Sequence, residues 1–513
     1  MIRSVRNLGR LVAIVRTFGR HDALFPLDGV PEAAVLRRVL RTIAPPDPAL
    51  ARGRPGERLA RAMHALGPSF IKFGQALSVR ADVLGEEVAA DLSELQDRLP
   101  PFPGAVARRI IEDSLDRPVA AVFAEFDDRP VAAASIAQVH HAVTAGGEEV
   151  AVKVLRPDIE AAFARDLDLF RWCAATAERH FPRLRRLKPV EVIETFAATV
   201  ANEMDLRLEA AAADELRDNL ADVPGFRVPR VDWQRTARRV LTIEWAPGVP
   251  VDERAALVEA GHDVEAIVMR MAEAFFLQVF RDGLFHADLH PGNMFVDAAG
   301  DIVVVDFGIM GRLDRPTRLY LAEMLLAFLR RDYRRVAEVH FRAGYVPADQ
   351  SIDDFAQAAR AIAEPILGLP LGDISIARLL AHLFQVTERF EMETQPQLLL
   401  LQKSMLVAEG VGRKLVPEVN MWELARPLIE AWARDTMGPE ARLGAAIAEA
   451  GDRLARLPAL AAEAERVLGE FSRGGLRLHP DTVRALAEAR RTSSWRFWVG
   501  LAALVTVVAW LVD

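Results

Sequence analysis

The segment HADLHPGNMF at His286–Phe295, followed by VVVDFG at Val303–Gly308, decides how the rest of the chain is read. Asp288 and Asn293 stand five apart, and Asp306 opens a DFG triplet further along. One carboxylate carries little information. Two carboxylates and an amide on a short loop–strand–loop unit offer hard oxygen donors to a cation such as Mg²⁺, which itself holds phosphate oxygens.

Composition narrows the classes. A chain of 513 residues is too long for one compact core and leaves room for two or three domains. Hydrophobic residues make up 51% and charged residues 27%, so most of it should be globular. The formal net charge of −8 argues against a general nucleic-acid binder, and no nucleic-acid partner is expected. The lone Cys173 excludes an intramolecular disulfide framework and any cysteine-rich zinc site. A reducing, cytosolic-side catalytic domain is the simplest reading. The first residues lack the apolar core and small-residue cleavage pattern of a secretory signal, so none is expected.

Residues 1–20 read as a basic amphipathic helix: Ile2, Val5, Leu8, Val12 and Val15 recur at helical spacing among Arg3, Arg6, Arg10, Arg16 and Arg20. Two readings stay open, a helix on an anionic membrane surface and a helix packed on the protein's own body. The run PPDPALARGRPGE at 45–57 looks like a linker. Helical pattern covers Arg58–Asp82, Ala105–Leu115, Pro157–Leu220 and Arg315–Arg342, and strand character appears at Glu149–Leu155, Val240–Trp245 and Ile302–Val305. Pro365, Pro370 and Gly372 break a further helical region. Near the end, Phe497–Val512 is an apolar run. As a helix of this length it would span about 24 Å, against a hydrocarbon core of roughly 30 Å. Trp495, Trp498 and Trp510 suit interfacial anchoring, and Arg484, Arg490, Arg491 and Arg496 would place the preceding domain on the cytoplasmic side. The expectation is a tail anchor; the alternative is a greasy helix docked on a partner.

Further parts join the opening motif. AVKVLRP at Ala151–Pro157 is a strand with an inward Lys153, the kind of lysine that contacts α/β-phosphates and needs a carboxylate partner. Glu203, Asp205 and Glu209 follow in NEMDLRLEA, read as one intervening helix on which the two glutamates face different partners. Lysine strand, catalytic loop and DFG in this order are the parts of a protein-kinase fold. The departures from that pattern are informative. His286-Ala287-Asp288 replaces the usual HRD, and after Gly308 only IMGRLDRPT precedes the next helix, with no A-P-E. The platform for a peptide substrate is therefore missing or rebuilt. Where a Gly-rich phosphate loop is expected, AAASIAQVH stands at Ala132–His140, and alanine Cβ atoms keep that backbone further from phosphate.

Together these residues resemble the UbiB family of atypical kinase-like ATPases of ubiquinone biosynthesis, to which the eukaryotic coenzyme Q kinases belong. Five elements carry the resemblance in order: FIKFGQ with Lys72, Gly74 and Gln75; AAASIAQVH; AVKV; the E-x-D of Glu203 and Asp205; and HADLHPGN with DFG. They cover about 58–345. The resemblance implies an α+β, bilobal kinase-like fold with an N-terminal helical extension, C-terminal helices and a C-terminal membrane anchor. By residue it implies an amphipathic helix and linker at 1–57, a KxGQ extension at 58–115, an ATP-binding core at 116–345, C-terminal helices at 346–491 and a membrane helix at 495–512. It implies ATP and Mg²⁺ as cofactors. Lys153 would pair with Glu209 and contact ATP, Asp288 would be the catalytic aspartate, and Asn293 and Asp306 would hold Mg²⁺. Ala132, Ala133 and Ala134, with Ser135, would cover the phosphates. Lys72 and Gln75 would come from a helix lying across the site, with Lys72 paired to Glu203. The implied partners are membrane lipids, isoprenoid quinone precursors and quinone-pathway enzymes, at the bacterial inner membrane. The oligomeric state stays open, with a homodimer as one expectation. The expected activity is slow phosphoryl transfer to water or to a small or lipid acceptor. An ATP-switched lipid-binding scaffold and a true protein kinase are the alternatives.

Overall fold

The computed structural model describes residues 2–25, 42, 44–78, 85–93, 99–180, 188–365, 386–387, 389–392, 395–418, 427–428 and 430–432. The chain divides into two units, Met1–Ala433 and Arg434–Asp513, and the second lies outside the described residues. The expected membrane helix at 495–512 therefore lies outside them too, as does much of the expected helical region at 346–491. Among the described residues no helix is long and apolar enough to cross a membrane.

Among the described residues the chain opens with helices α1 (Ile2–Arg20), α2 (Pro55–Leu66), α3 (Pro68–Ser78) and α4 (Glu86–Ser93). The expected linker at 45–57 ends earlier than read, because Pro55 starts α2, where a fixed φ and a missing N–H cost nothing. Residues 10–20 of α1 pack on the protein's own body. Ile14 is buried, Phe18 meets Phe70 with ring centroids 6.2 Å apart, and Arg10 holds both oxygens of Asp166 at 2.9 and 3.0 Å.

Two further helices, α5 (Gly104–Leu115) and α6 (Val119–Val122), precede the strands. In chain order these begin with β1 (Phe123–Phe126), β2 (Ala132–Ala133), β3 (Ala137–Thr144), β4 (Glu149–Leu155), β5 (Phe226–Arg227) and β6 (Val240–Glu244). They continue with β7 (Val249–Pro250), β8 (Leu284–His286), β9 (Met294–Val296), β10 (Ile302–Val304) and β11 (Met310–Arg312). The largest sheet runs β1-β3-β4-β6 with β2 on β3, all antiparallel. Alternation along β4 sets its faces. Val150, Val152 and Val154 are buried with Ile110 and Ile111 of α5 in one cluster, so Lys153 points to the opposite face. A second sheet has the order β5-β10-β9-β7, and β8 pairs with β11 in a two-stranded ribbon.

Among the described residues the long helical block at 157–220 holds α7 (Ile159–His180), α8 (Pro189–Glu203) and α9 (Leu206–Asn219). Glu203, Asp205 and Glu209 thus do not share one helix, as the sequence reading had it. Glu203 ends α8, while Asp205 takes an extended conformation (φ −120°, ψ 91°) and caps α9 by accepting from the N–H of Arg207. A short polar side chain that can satisfy a free helix N–H starts a new helix here. Leu206, Ala210, Ala213 and Leu216 form the buried stripe of α9 and bring Glu209 inward.

The chain continues through α10 (Arg254–Glu259) and α11 (Val264–Phe276), and then a π-helical turn at Leu277–Asp282 that ends at Gly283 (φ +71°). Next come α12 (Arg315–Leu329), α13 (Tyr333–Arg342), α14 (Ile352–Ala363) and α15 (Pro396–Leu415). The helical pattern read across 315–342 is broken at Arg331 (φ +58°) into α12 and α13.

Candidate active site

Lys153 Nζ donates to Glu209 Oε1 at 2.7 Å and to Asp306 Oδ1 at 3.0 Å. Glu209 Oε1 also accepts from the N–H of Phe307 at 3.2 Å. One carboxylate on α9 therefore gathers the lysine of β4 and the backbone of the DFG triplet. Burial opposes charge on Lys153, but Asp306 and Glu209 outweigh it and hold the ammonium well above its usual range. Asp306 loses solvation where its carboxylate faces Lys153, yet Lys153, with Lys72 and the N–H of Gly308, holds its carboxyl well below the usual range. Burial pushes Glu209 the other way, up to about 7, against the pull of Lys153. Of the two carboxylates sharing one ammonium, the Asp306 side chain is 47% exposed and the Glu209 side chain 7%, so Asp306 keeps the charge more readily.

Asp306 sits at φ +67°, a left-handed conformation that turns its carboxylate back across the triplet, with Gly308 N–H 3.3 Å from Oδ1. Phe307 is buried against His286, ring centroids 5.8 Å apart. His286 is fully buried. Its Nε2 donates to the carbonyl of Asp306 at 2.6 Å and its Nδ1 accepts from the N–H of Asp288 at 3.1 Å. Desolvation lowers the pKa of His286 and keeps the imidazole neutral, which this donor–acceptor pair requires. One side chain thus fixes Asp288 relative to Asp306. Asn293 closes the loop, donating through Nδ2 to the carbonyl of Asp288 at 3.2 Å.

The ribbon below this loop depends on a glycine. A Cβ on Gly311 of β11 would meet the ring of Phe285 on β8, so any other residue forces the ring or the strands to shift. The chain passes from the DFG triplet through β11 to Asp314, which caps α12 by accepting from Thr317 N–H at 2.9 Å. No long segment intervenes.

Lys72 on α3 pairs with Glu203 at 3.0 Å, and both side chains are nearly buried, 12% and 10% exposed. Its helix is held by rings: Phe70 and Phe73 each lie 5.0 Å from Phe170, and Phe73 lies 5.2 Å from Phe196. The apolar residues of FIKFGQ anchor the helix and bring Lys72 to the end of α8. Gln75 lies one turn further on, half-buried, with its carbonyl accepting from Ser78 Oγ at 2.7 Å.

The alanine-rich motif divides into two parts. Ala132 and Ala133 form β2, and Ala134 N–H closes a tight turn onto the carbonyl of Ala137 at 2.8 Å. Ser135 is buried within that turn, and its hydroxyl has no hydrogen-bond partner there. From Ala137 onward the motif is the start of β3, so residues 132–135 form the tip of a β2–β3 hairpin. Gln138 is fully buried, bonded to the N–H and carbonyl of Phe102 at 2.9 and 3.1 Å and to His140 Nε2 at 2.8 Å. Arg156 completes the fastening, donating to the carbonyls of Ala134 (2.7 and 2.9 Å) and Pro100 (3.0 Å). The turn is therefore stitched to the chain segment that enters α5.

Sequence reasoning missed one residue of the site. Lys403 on α15 places Nζ 2.7 Å from Asp288 Oδ1. The next residue, Ser404, is fully buried, its Oγ near the carbonyl of His286 at 3.3 Å and that of Leu400 at 3.0 Å. A signal was present: Gln402-Lys403-Ser404 interrupts the apolar run LLLL…MLV. A lysine set into an apolar helix face requires a partner.

The donors suit a hard cation. Asp306 offers an ionised carboxylate and Asn293 an amide, both oxygen donors, and Mg²⁺ takes one or two such ligands together with water and phosphate oxygens. Among the described residues no cluster of three or more His, Cys, Asp or Glu forms a self-sufficient metal cage.

The chain matches the family model described as the ABC1 atypical kinase-like domain over residues 94–340 and that of the UbiB helical domain over 359–420. It is 44% identical over 443 residues to a protein of Marinobacter nauticus named "Probable protein kinase UbiB", covering 84% of this chain and 80% of that one. It is 40% identical to the protein of the same name from Aeromonas salmonicida, over 99% of this chain and 93% of that one. Among solved structures it is similar to Rv3197 of Mycobacterium tuberculosis, described as a complex with erythromycin. The TM-score is 0.52 at 25% identity, over 78% of this chain and 98% of that one.

Proposed function

The chain belongs to the UbiB family of atypical kinase-like proteins, and from that premise we propose that it is a Mg²⁺-dependent ATPase or small-molecule kinase supporting ubiquinone biosynthesis. The observation that carries this reading is the Lys153–Glu209–Asp306 cluster placed beside Asp288 and Asn293. In it, Lys153 grips the α/β-phosphates while Glu209 keeps it oriented. Asp306 and Asn293 would hold Mg²⁺, which would supply charge neutralisation at the phosphates. Asp288 orients the attacking oxygen and accepts its proton. Catalysis is then positioning and charge neutralisation rather than covalent chemistry.

The acceptor in this reading is water or a small or lipid hydroxyl. Two features favour that over a protein. The stretch between Gly308 and α12 is short, and the Lys72–Glu203 pair fixes α3 at the end of α8. The apolar run at Phe497–Val512 would tether the protein to the bacterial inner membrane, with the catalytic unit on the cytoplasmic side. Membrane lipids, isoprenoid quinone precursors and quinone-pathway enzymes are the partners this reading names.

The test is quinone and precursor profiling in cells whose own copy is replaced by wild type, Lys72→Ala or Asp288→Asn. Loss of quinone with accumulation of an early precursor in both variants supports the proposal. Normal quinone in Asp288→Asn at wild-type protein level removes the requirement for phosphoryl transfer.

A further inference from the structure

We infer that Lys403, from the helical region that follows the kinase-like domain, is a catalytic residue: its ammonium holds Asp288 and contacts the phosphoryl group in transfer. The inference rests on the phosphoryl-transfer reading above and adds a residue to that site.

A transferring phosphoryl group spreads negative charge over its peripheral oxygens, and a positioned cation there accelerates the reaction. The catalytic loop supplies none, since His286–Asn293 contains neither lysine nor arginine. His290 is turned into the loop, with Nδ1 accepting from the N–H of Gly292 at 3.1 Å. Among the described residues the other cations of the site have carboxylate partners of their own. Lys153 is held by Glu209 and Asp306, Lys72 by Glu203, and Arg312 by Glu215. Among the described residues the ion-pair partner of Asp288 is Lys403, at 2.7 Å.

The pair is not built for stability. The two side chains are 32% and 27% exposed, and ion pairs open to solvent contribute little. The helix that presents Lys403 is nevertheless firmly placed. Ser404 faces the His286 carbonyl, Leu401, Ala408, Val411 and Leu415 are buried, and Arg254 Nε donates to the Leu415 carbonyl at 2.9 Å. Rigid support under a half-open charge pair is the arrangement expected of a working group.

In the step itself, a bond forms between the attacking oxygen and the γ-phosphorus. The bond from that phosphorus to the β,γ-bridging oxygen breaks, and its electron pair leaves with ADP. The proton of the attacking oxygen passes to Asp288 and on to solvent. The positive charge of Lys403 offsets the charge gathered between Asp288 and the phosphoryl oxygens.

The test uses the full chain and compares wild type, Lys403→Met, Lys403→Arg and Asp288→Asn in steady-state Mg-ATP hydrolysis, with binding of a non-hydrolysable ATP analogue. Lys403→Met should lower kcat about 100-fold. KM and analogue affinity should stay within about threefold, because the interaction belongs to the transition state. Lys403→Arg should recover part of the loss. A kcat for Lys403→Met near wild type, with Asp288→Asn inactive, overturns the assignment and leaves the phosphoryl-transfer reading standing. So does a parallel loss of analogue binding and kcat that Arg does not rescue. If Asp288→Asn hydrolyses ATP like wild type, the phosphoryl-transfer reading falls and this inference with it.

Discussion

Nζ of Lys153 lies 3.0 Å from Oδ1 of Asp306, so the lysine assigned to phosphate and the carboxylate assigned to metal neutralise one another. A divalent cation added without nucleotide must compete with that ammonium. Lys153→Met should therefore bind Mn²⁺ more tightly than wild type, by about tenfold, the scale of one charge neighbour. Titration followed by electron paramagnetic resonance reads this directly. Equal or weaker Mn²⁺ binding in the variant would place the metal away from Asp306.

The Lys72–Glu203 pair makes a different prediction. Removing one partner leaves the other nearly buried and uncompensated, so Lys72→Met should destabilise the protein by about 2–3 kcal/mol. The double variant Lys72→Met/Glu203→Gln should be less destabilised than the sum of the two single changes. Chemical denaturation of the four proteins gives the coupling. Strict additivity would mean that the two side chains do not interact in solution.

Gly311→Ala should destabilise by about 1–3 kcal/mol, because its Cβ meets the Phe285 ring and the β8–β11 ribbon must spread. The same shift moves His286, which ties Asp288 to Asp306, so ATP hydrolysis should fall more than the stability loss alone explains. Activity assayed well below the melting temperature separates the two effects; full activity there would show that the ribbon does not position the loop.

Acid should weaken the fold in a defined window. Burial lowers the pKa of His140, His286 and His340. A histidine in the unfolded chain takes up its proton near pH 6.5 and these three resist it, so each loses stability as pH falls below that value. Glu209, raised to about 7, and the less buried Glu409, also raised, act in the opposite sense above about pH 4.5. With three such imidazoles set against two carboxyls, the melting temperature should drop from pH 6.5 to 5. A flat or rising profile across that interval would contradict the buried, neutral state of the histidines.

Much of this architecture is legible in the residues. The β-branched runs at 149–155 and 302–304 gave strands because alternation and bounding charges agree locally. Lys153 meets Asp306, and the Asn293 side chain meets the carbonyl of Asp288. What the sequence hid was non-local. The E-x-D residues read as one helix, since nothing in NEMDLRLEA except the capping propensity of Asp205 marks the break. Gln138 and His140 find their partners at Phe102 and Asp127, brought close only by the sheet. Lys403 stands 115 positions from Asp288, a separation that no motif spans.

The central claim is that Asp306 binds the metal of Mg-ATP in a working phosphoryl-transfer site. The direct measurement is Mg²⁺-dependent ATP hydrolysis, with nucleotide binding, by the full-length wild type and Asp306→Asn. Wild type should hydrolyse ATP only when Mg²⁺ is present, and the variant should lose about 100-fold or more of that rate together with Mg²⁺-dependent nucleotide affinity. Unchanged hydrolysis and binding in Asp306→Asn would contradict the account.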